Sequence, residues 1–204
     1  MLWSITKLTG YRRWETEWEG PVIGNENYIF MFAYRNDRRY FPEDHGWIKF
    51  KTPSLSRKNS DTMDKIINNN SVFVHVRRGD YLSATYRTRF EGICTAAYYQ
   101  KAIGMMKERH PGALFVVFSD DIEWCRENIS GTGSDTIYVY RNTGNDSYLD
   151  MYLMAHCTAG VIANSTFSYW AARLVKKKDI IYPAKWINSK YGVPDIFEDD
   201  WTGL

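Results

Sequence analysis

The stretch SVFVHVRRGDY, residues 71–81, joins an apolar run to two adjacent arginines and an aspartate. Its first six residues predict a buried strand, because a continuous apolar run of this length is typical of a strand covered on both faces. Further apolar runs predict strands at residues 113–118, 136–140, 160–163 and 179–182. Between these runs, apolar residues recur at helical spacing, which predicts helices at residues 96–109, 121–128, 147–157 and 165–175.

This strict alternation of strands and helices predicts an α/β fold with a parallel, Rossmann-like sheet. Residues 1–70 have a different pattern, in which aromatic and charged residues alternate between turn signals. A polar segment at residues 56–71 predicts a short helix that ends in an asparagine-rich loop. We therefore expect the regular domain to cover residues 71–204 and residues 1–70 to be a separate part.

Composition and charge exclude several function classes. The chain has 204 residues, of which 44% are hydrophobic and 25% charged, as is usual for a soluble globular protein. A net charge of +2 gives no support for nucleic-acid binding. No apolar run approaches the roughly 20 residues of a membrane helix. The three cysteines are odd in number and far apart, which favours reduced thiols, and no signal-peptide pattern opens the sequence. We expect a cytoplasmic protein, or one peripheral to the inner face of the membrane.

Polar residues follow several predicted strands at their carboxyl ends, where sheets of this kind bind ligands. Because parallel strands end at one edge, these side chains should lie together. They are His75, Arg77, Arg78 and Asp80 after the first strand, Ser119, Asp120 and Asp121 after the second, Arg141, Asn142 and Gly144 after the third, and Asn164, Ser165 and Thr166 after the fourth.

Two of these groups suggest an anion site. Residues 164–166 precede a predicted helix, whose free N–H groups can bind an anion, although ordinary capping explains the same residues equally well. The Arg77–Arg78 pair either meets a ligand or forms salt bridges with Asp80 and the acidic pair at 120–121. Alternation along the strand directs the two arginines to opposite faces, so one could bind the ligand and the other a carboxylate. No GxGxxG or Walker sequence is present.

Asp150 and His75 each allow two interpretations. Asp150 is either a first-turn acid favoured by the helix dipole or a carboxylate that accepts the two N–H donors of guanine. His75 is either a hydrogen-bonded core residue or part of the site. With only 4 histidines and no clustered ligands, the sequence predicts no metal site.

Four motifs then resemble those of a known family: HVRRGDY (75–81), FSDDIEWC (118–125), DSYLDMYLMAHC (146–157) and IANSTFSYWAARL (162–174). In this order and spacing they resemble the bacterial α-1,2-fucosyltransferases of glycosyltransferase family eleven. The resemblance covers roughly residues 28–190. It implies a GT-B fold and inverting, metal-independent transfer of L-fucose from GDP-fucose to a galactose-terminated glycan, with no other cofactor.

The resemblance also implies roles for individual residues. Arg77 would meet the β-phosphate of the donor, and His75 and Asp150 would contact the guanosine. Ser165 and Thr166, with the backbone around Phe167, would bind the pyrophosphate. Asp80 and the pair Asp120 and Asp121 would orient the arginine and its loop. Arg78 and Asn164 complete the set of donor-binding residues that we expect.

The chain also departs from the family pattern. Family members begin with a Gly-rich strand and loop, G-G-x-G-N-Q-x-F-Q-Y, which is not found here. We expect residues 1–70 to be a remnant of the acceptor-side domain and residues 71–204 to be the GDP-fucose-binding domain. The alternative function is that of a catalytically incomplete fragment that binds GDP or a nucleotide sugar.

Overall fold

The computed structural model describes residues 51–175, 179–188 and 196–204. All of these except Ile196 and Phe197 belong to one compact unit, which spans Gly46–Val193 and Glu198–Leu204. The helices are α1 (Arg57–Ile67), α2 (Arg87–Phe90), α3 (Ala96–Arg109), α4 (Ile122–Asn128), α5 (Tyr148–Ala155) and α6 (Thr166–Leu174). The strands are β1 (Ser71–Val76), β2 (Leu114–Ser119), β3 (Ile137–Val139), β4 (Ala159–Val161), β5 (Asp179–Tyr182) and β6 (Thr202–Gly203).

These elements confirm the predicted alternation, with small shifts at their ends. The polar segment before β1 forms α1, which begins after Ser56, whose hydroxyl accepts the backbone N–H of Asn59. Sequence periodicity did not predict α2 or β6. Most of residues 1–70, which we expect to form the acceptor-side remnant, lie outside the described residues.

The six strands form one parallel sheet in the order β3-β2-β1-β4-β5-β6. The prediction of an α/β fold with a parallel, Rossmann-like sheet is therefore confirmed. In this order β1 lies between β2 and β4, so the direction of chain progression reverses next to β1. A crevice opens at such a reversal, outside the carboxyl ends of the strands, and ligands bind there.

The core forms where β1 packs beneath α3. All six residues of β1 are buried, and Tyr99, Ala102, Ile103 and Met106 of α3 are buried at helical spacing, as predicted. Gly160 in β4 allows Phe73 of β1 to pack closely against it, since a Cβ atom at this position would overlap the phenyl ring. The sheet edge that carries the polar residues is therefore fixed by close packing below it.

Within the three described ranges, no helix is long and apolar enough to cross a bilayer.

Candidate functional site

A cavity of about 630 Å³ lies at the carboxyl ends of β1–β4, within the range of about 300–1,000 Å³ typical of small-molecule sites. It combines charged groups with hydroxyls, an amide and aromatic rings. Its lining residues are His75, Arg77, Asp80, Tyr81, Ser119, Asp120, Ile122, Tyr140, Asn142, Thr143, Gly144, Ser147, Asp150, Ser165, Thr166 and Phe167.

Arg77 extends into this cavity just beyond the end of β1. Its guanidinium forms two ion pairs, from Nη2 to Asp80 Oδ1 at 3.0 Å and from Nη1 to Asp120 Oδ2 at 3.0 Å. Arg77 and both carboxylates remain partly accessible to solvent. An arginine carries five N–H donors, so donors remain for a ligand after both ion pairs have formed.

Asp120 fixes the backbone of the loop as well as the side chain of Arg77. Its Oδ1 accepts the N–H of Arg78 at 2.9 Å, and its Oδ2 accepts the N–H of Gly79 at 3.2 Å. A Cβ atom at Gly79 would lie 2.9 Å from Oδ2 of Asp120, closer than such contacts occur. The glycine therefore allows the carboxylate to approach the loop.

Arg78 and Asp121 form a second ion pair, and neither residue lines the cavity. Nε of Arg78 lies 3.1 Å from Asp121 Oδ2, and its guanidinium stacks over the Trp124 ring at 4.0 Å from the centroid. Asp121 also caps α4, because its Oδ1 accepts the backbone N–H of Trp124. The two adjacent arginines thus have different surroundings, and only Arg77 reaches the cavity.

The N-terminus of α6 forms another wall of the cavity. The hydroxyl of Ser165 caps the helix by accepting the N–H of Phe167 at 3.3 Å, and Thr166 lines the cavity beside it. Asn164 lies beneath this wall and is not a lining residue. The side-chain Nδ2 of Asn164 donates to the backbone carbonyl of Trp186 at 3.0 Å. The backbone carbonyl of Asn164 accepts the hydroxyl of Tyr81 at 2.9 Å.

His75 lines the floor of the cavity with only 6% of its surface exposed. Burial, with a smaller contribution from the positive charge of Arg77, lowers its pKa to about 3, so the imidazole is neutral at physiological pH. Its ring lies 5.6 Å from that of Phe167, and its Nδ1 has no hydrogen-bond partner among the described residues. A neutral ring of this kind can contact a ligand without contributing charge.

Asp150 belongs to the part of the cavity formed by α5 and the segment after β3. Burial raises its pKa to about 6, and a hydrogen bond from Asn142 acts in the opposite direction. Nδ2 of Asn142 donates to Asp150 Oδ1 at 2.6 Å. The amide of Asn142 in turn pairs with that of Asn59 on α1, where Asn59 Nδ2 donates to Asn142 Oδ1 at 2.8 Å.

The cavity therefore brings together most of the residues that the sequence singled out. Lining residues that sequence reasoning missed include Tyr140, Thr143 and Ser147, which follow β3, and Tyr81, which follows β1. Their position after strand ends could have indicated them. Nothing in the sequence indicated Asn59, which does not line the cavity but pairs with Asn142 from α1.

In the part of the chain that the structure describes, no three His, Cys, Asp or Glu residues cluster as metal ligands would. Among the lining residues that the structure describes, positive charge comes from Arg77 and from the backbone N–H groups at the start of α6.

Comparison with known proteins places these motifs in a family. The family model described as Glycosyl transferase family 11 matches residues 7–204. The chain is 37% identical to an alpha-1,2-colitosyltransferase of Escherichia coli over 82% of this chain and 58% of that protein. It is 34% identical to the O-antigen biosynthesis glycosyltransferase WbnK of Escherichia coli, over 67% of this chain and 45% of that protein.

A galactoside alpha-(1,2)-fucosyltransferase 1 of Saimiri sciureus is 36% identical over 65% of this chain and 38% of that protein. The chain thus spans between 38% and 58% of the length of these three relatives. No solved structure gives a significant match.

Proposed function

The chain belongs to glycosyl transferase family 11, and we propose that it binds GDP-fucose in this cavity and transfers L-fucose to a hydroxyl group of a galactoside. The observation that carries the proposal is the composition of one cavity at the sheet reversal. It combines the guanidinium of Arg77, the N-terminus of α6 and the partly buried carboxylate of Asp150. These groups suit a ligand with a diphosphate at one end and a base with N–H donors at the other.

The proposed reaction inverts the anomeric carbon and needs no metal. The acceptor hydroxyl oxygen forms a bond to that carbon and releases its proton to solvent, while the bond from carbon to the β-phosphate oxygen breaks. The electron pair of the broken bond stays on the phosphate, where negative charge develops. Arg77 and the N–H groups at the start of α6 stabilise this charge, as a metal does in other transferases. Asp80 and Asp120 hold the guanidinium in place, since both pair with it at 3.0 Å.

The base end of the donor is assigned to Asp150 and His75. An ionised Asp150 accepts the ring N–H and the exocyclic amino group of guanine, a pair of donors that adenine lacks. Neutral His75 contacts the guanosine without charge. The names of the relatives support a fucose-like sugar, because one is a fucosyltransferase and another a colitosyltransferase.

We assign residues 71–204 to the donor domain of a GT-B enzyme and residues 1–70 to a remnant of its acceptor-side domain. The second candidate function is that of a catalytically incomplete fragment that binds a nucleotide sugar without transferring it. The chain spans 38% to 58% of the length of these relatives.

Two measurements on the 204-residue chain test the proposal. Calorimetry with GDP measures donor binding, and release of GDP from GDP-fucose is followed with and without a galactoside. The same release measurement is repeated with the corresponding GDP donor that carries colitose in place of fucose. Binding with acceptor-dependent release supports the transferase, and binding without it supports the fragment. No affinity for GDP would contradict both.

A further inference from the structure

Three side chains form a continuous hydrogen-bonded chain between α1 and the cavity. Asn59 Nδ2 donates to Asn142 Oδ1 at 2.8 Å, and Asn142 Nδ2 returns a bond to Asn59 Oδ1 at 3.3 Å. The same Nδ2 of Asn142 donates to Asp150 Oδ1 at 2.6 Å. Asn59 is buried, with 7% of its surface exposed. The bond to Asn142 joins residues that are 83 positions apart along the chain.

We propose that Asn59 is a positioning residue for recognition of the nucleotide base, because it fixes the amide of Asn142 and thereby the carboxylate of Asp150. This inference rests on the proposed binding of a guanine nucleotide. Asn59 is not expected to touch the ligand, since Asn142 and Asp150 line the cavity and Asn59 does not.

An asparagine amide has an oxygen that accepts hydrogen bonds and an NH2 group that donates them, so its orientation decides which of the two faces Asp150. An unsupported Asn142 could rotate by half a turn and present its oxygen to Asp150, which would bring two acceptors together. The reciprocal pair with Asn59 uses the oxygen of Asn142 and one N–H, so the other N–H faces Asp150. Unsatisfied buried amide groups cost free energy, so the buried Asn59 disfavours rotation of Asn142 alone, which would bring like groups of the two amides together. A joint rotation of both amides would place the oxygen of Asn142 against the carboxylate of Asp150, so the pair with Asn59 holds the amide in place and Asp150 selects its N–H end.

The carboxylate of Asp150 keeps accepting capacity for a ligand. Among the described residues, Asn142 is the only hydrogen-bond partner of its side chain, and that bond involves Oδ1. Burial raises the pKa of Asp150 to about 6, and the bond from Asn142 is the only opposing cause, with no contribution from a charged neighbour. The other ionisable groups that line the cavity are His75, Arg77, Asp80, Tyr81, Asp120 and Tyr140.

The first test compares Asn59→Ala with Ile66→Val. Ile66 is on the same helix, is buried and bears no polar group, so this control loosens α1 without touching the amide chain. Affinities for GDP, IDP and ADP are measured by calorimetry. IDP lacks the exocyclic amino group, so wild type should prefer GDP by about tenfold. We expect Asn59→Ala to reduce this preference to about threefold or less, and Ile66→Val to retain it.

The second test needs no nucleotide. The carboxyl carbon of Asp150 is followed by NMR as a function of pH in the free chain. If Asn59 fixes Asn142, its removal weakens the bond that stabilises the charged carboxylate, and the titration midpoint rises. The midpoint should stay in place in Ile66→Val.

The outcomes separate this inference from the proposed function. If wild type shows no preference for GDP, the guanine assignment is wrong, and the NMR midpoint alone then decides the positioning role of Asn59. If wild type prefers GDP and Asn59→Ala retains the preference, Asn59 has no part in base recognition. An unchanged midpoint in Asn59→Ala overturns the inference in either case.

Discussion

The carboxylate of Asp120 pairs with the guanidinium of Arg77 at 3.0 Å and also accepts the backbone N–H groups of the next two residues, Arg78 and Gly79. One carboxylate thus fixes both the side chain and the loop that carries it. Charge-assisted hydrogen bonds of this kind are stronger than neutral ones. The position of the cavity arginine is therefore determined from the neighbouring strand β2, which ends one residue before Asp120.

Asp120→Ala should weaken GDP binding by about tenfold or more, since a lost charge-assisted bond is worth about 1.5–3 kcal/mol. The loop after β1 would lose both backbone contacts, and Arg77 would lose one of its two carboxylate partners. Calorimetry with GDP measures the effect. Asp135→Ala, which removes an exposed carboxylate from another loop, should leave the affinity unchanged. Equal affinities in both variants would contradict this role of Asp120.

Gly79→Ala should impair the same contact without any change of charge. The new Cβ would lie 2.9 Å from Oδ2 of Asp120, so the carboxylate or the loop must shift. We expect weaker GDP binding and a loss of about 1–3 kcal/mol in the free energy of unfolding.

Gly104→Ala is the matched control for that variant. This glycine is an exposed residue in α3 with nothing within 4 Å of the added Cβ. Its replacement should stabilise the protein by about 0.5–1 kcal/mol and leave GDP binding intact. Normal GDP affinity in Gly79→Ala would show that the close approach to Asp120 is unimportant.

The two adjacent arginines should respond differently to replacement by alanine. Arg77→Ala should abolish turnover and weaken GDP binding, because its guanidinium lines the cavity. Arg78→Ala should act through stability, because it loses the pair with Asp121 and the stacking on Trp124. Thermal unfolding and GDP titration of both variants separate the effects. Normal GDP binding by Arg77→Ala would rule out its phosphate role.

Asp150→Asn should change how stability depends on pH. Burial raises the pKa of this carboxyl from its ordinary value of 3.8 to about 6 in the folded chain. Between these values the folded chain retains a proton that the unfolded chain releases, so this group lowers stability as pH rises. Asparagine has no such proton to lose, so the variant does not lose stability in this way. The difference in free energy of unfolding, variant minus wild type, should therefore increase by about 1–3 kcal/mol between about pH 4 and pH 7.

The same Asp150→Asn variant should lose its preference for GDP over ADP, which calorimetry at neutral pH measures. In wild type, GDP affinity should fall as pH drops through about 6, where the carboxylate becomes protonated. Unchanged nucleotide selectivity would contradict the guanine assignment. A pH-independent stability difference would contradict the raised pKa.

His75→Phe should reduce acid sensitivity. Burial and the charge of Arg77 lower the pKa of His75 from 6.5 to about 3. Below the higher value the unfolded chain takes up a proton that the folded chain does not, which lowers stability by up to about 1.4 kcal/mol per pH unit. Denaturant unfolding at several pH values between about pH 4 and pH 7 measures the free energy of unfolding. As pH falls, this free energy should decline less steeply in His75→Phe than in wild type. Parallel declines would mean that His75 titrates normally in the folded chain.

Within the described residues, the hydrophobic pattern was enough to predict most of the helices and strands. Buried parallel strands such as β1 and β2 are continuous apolar runs, and α3 buries one stripe at helical spacing, so both periods are visible in the sequence. The strand β6 has only two residues, Thr202 and Gly203, and its pairing with β5 depends on tertiary contact. No local pattern could have predicted it.

The site was predictable where residues follow strands directly. Arg77 and Asp120 were expected together because parallel strands end at one edge, and the structure pairs them at 3.0 Å. The partner of Asn142 was not predictable, because Asn59 lies 83 residues away on a helix whose sequence shows only a polar segment. A hydrogen bond between two amides far apart along the chain produces no periodic pattern in a single sequence.

The contact between Asn59 and Asn142 also limits how parts of related proteins can be recombined. A chimaera joined at residue 70 would take α1 from one parent and the segment after β3 from another, and the amide pair would form only if the parents matched there. A join before Ser56, which caps α1, would transfer the helix, the amide pair and Asp150 as one inherited unit.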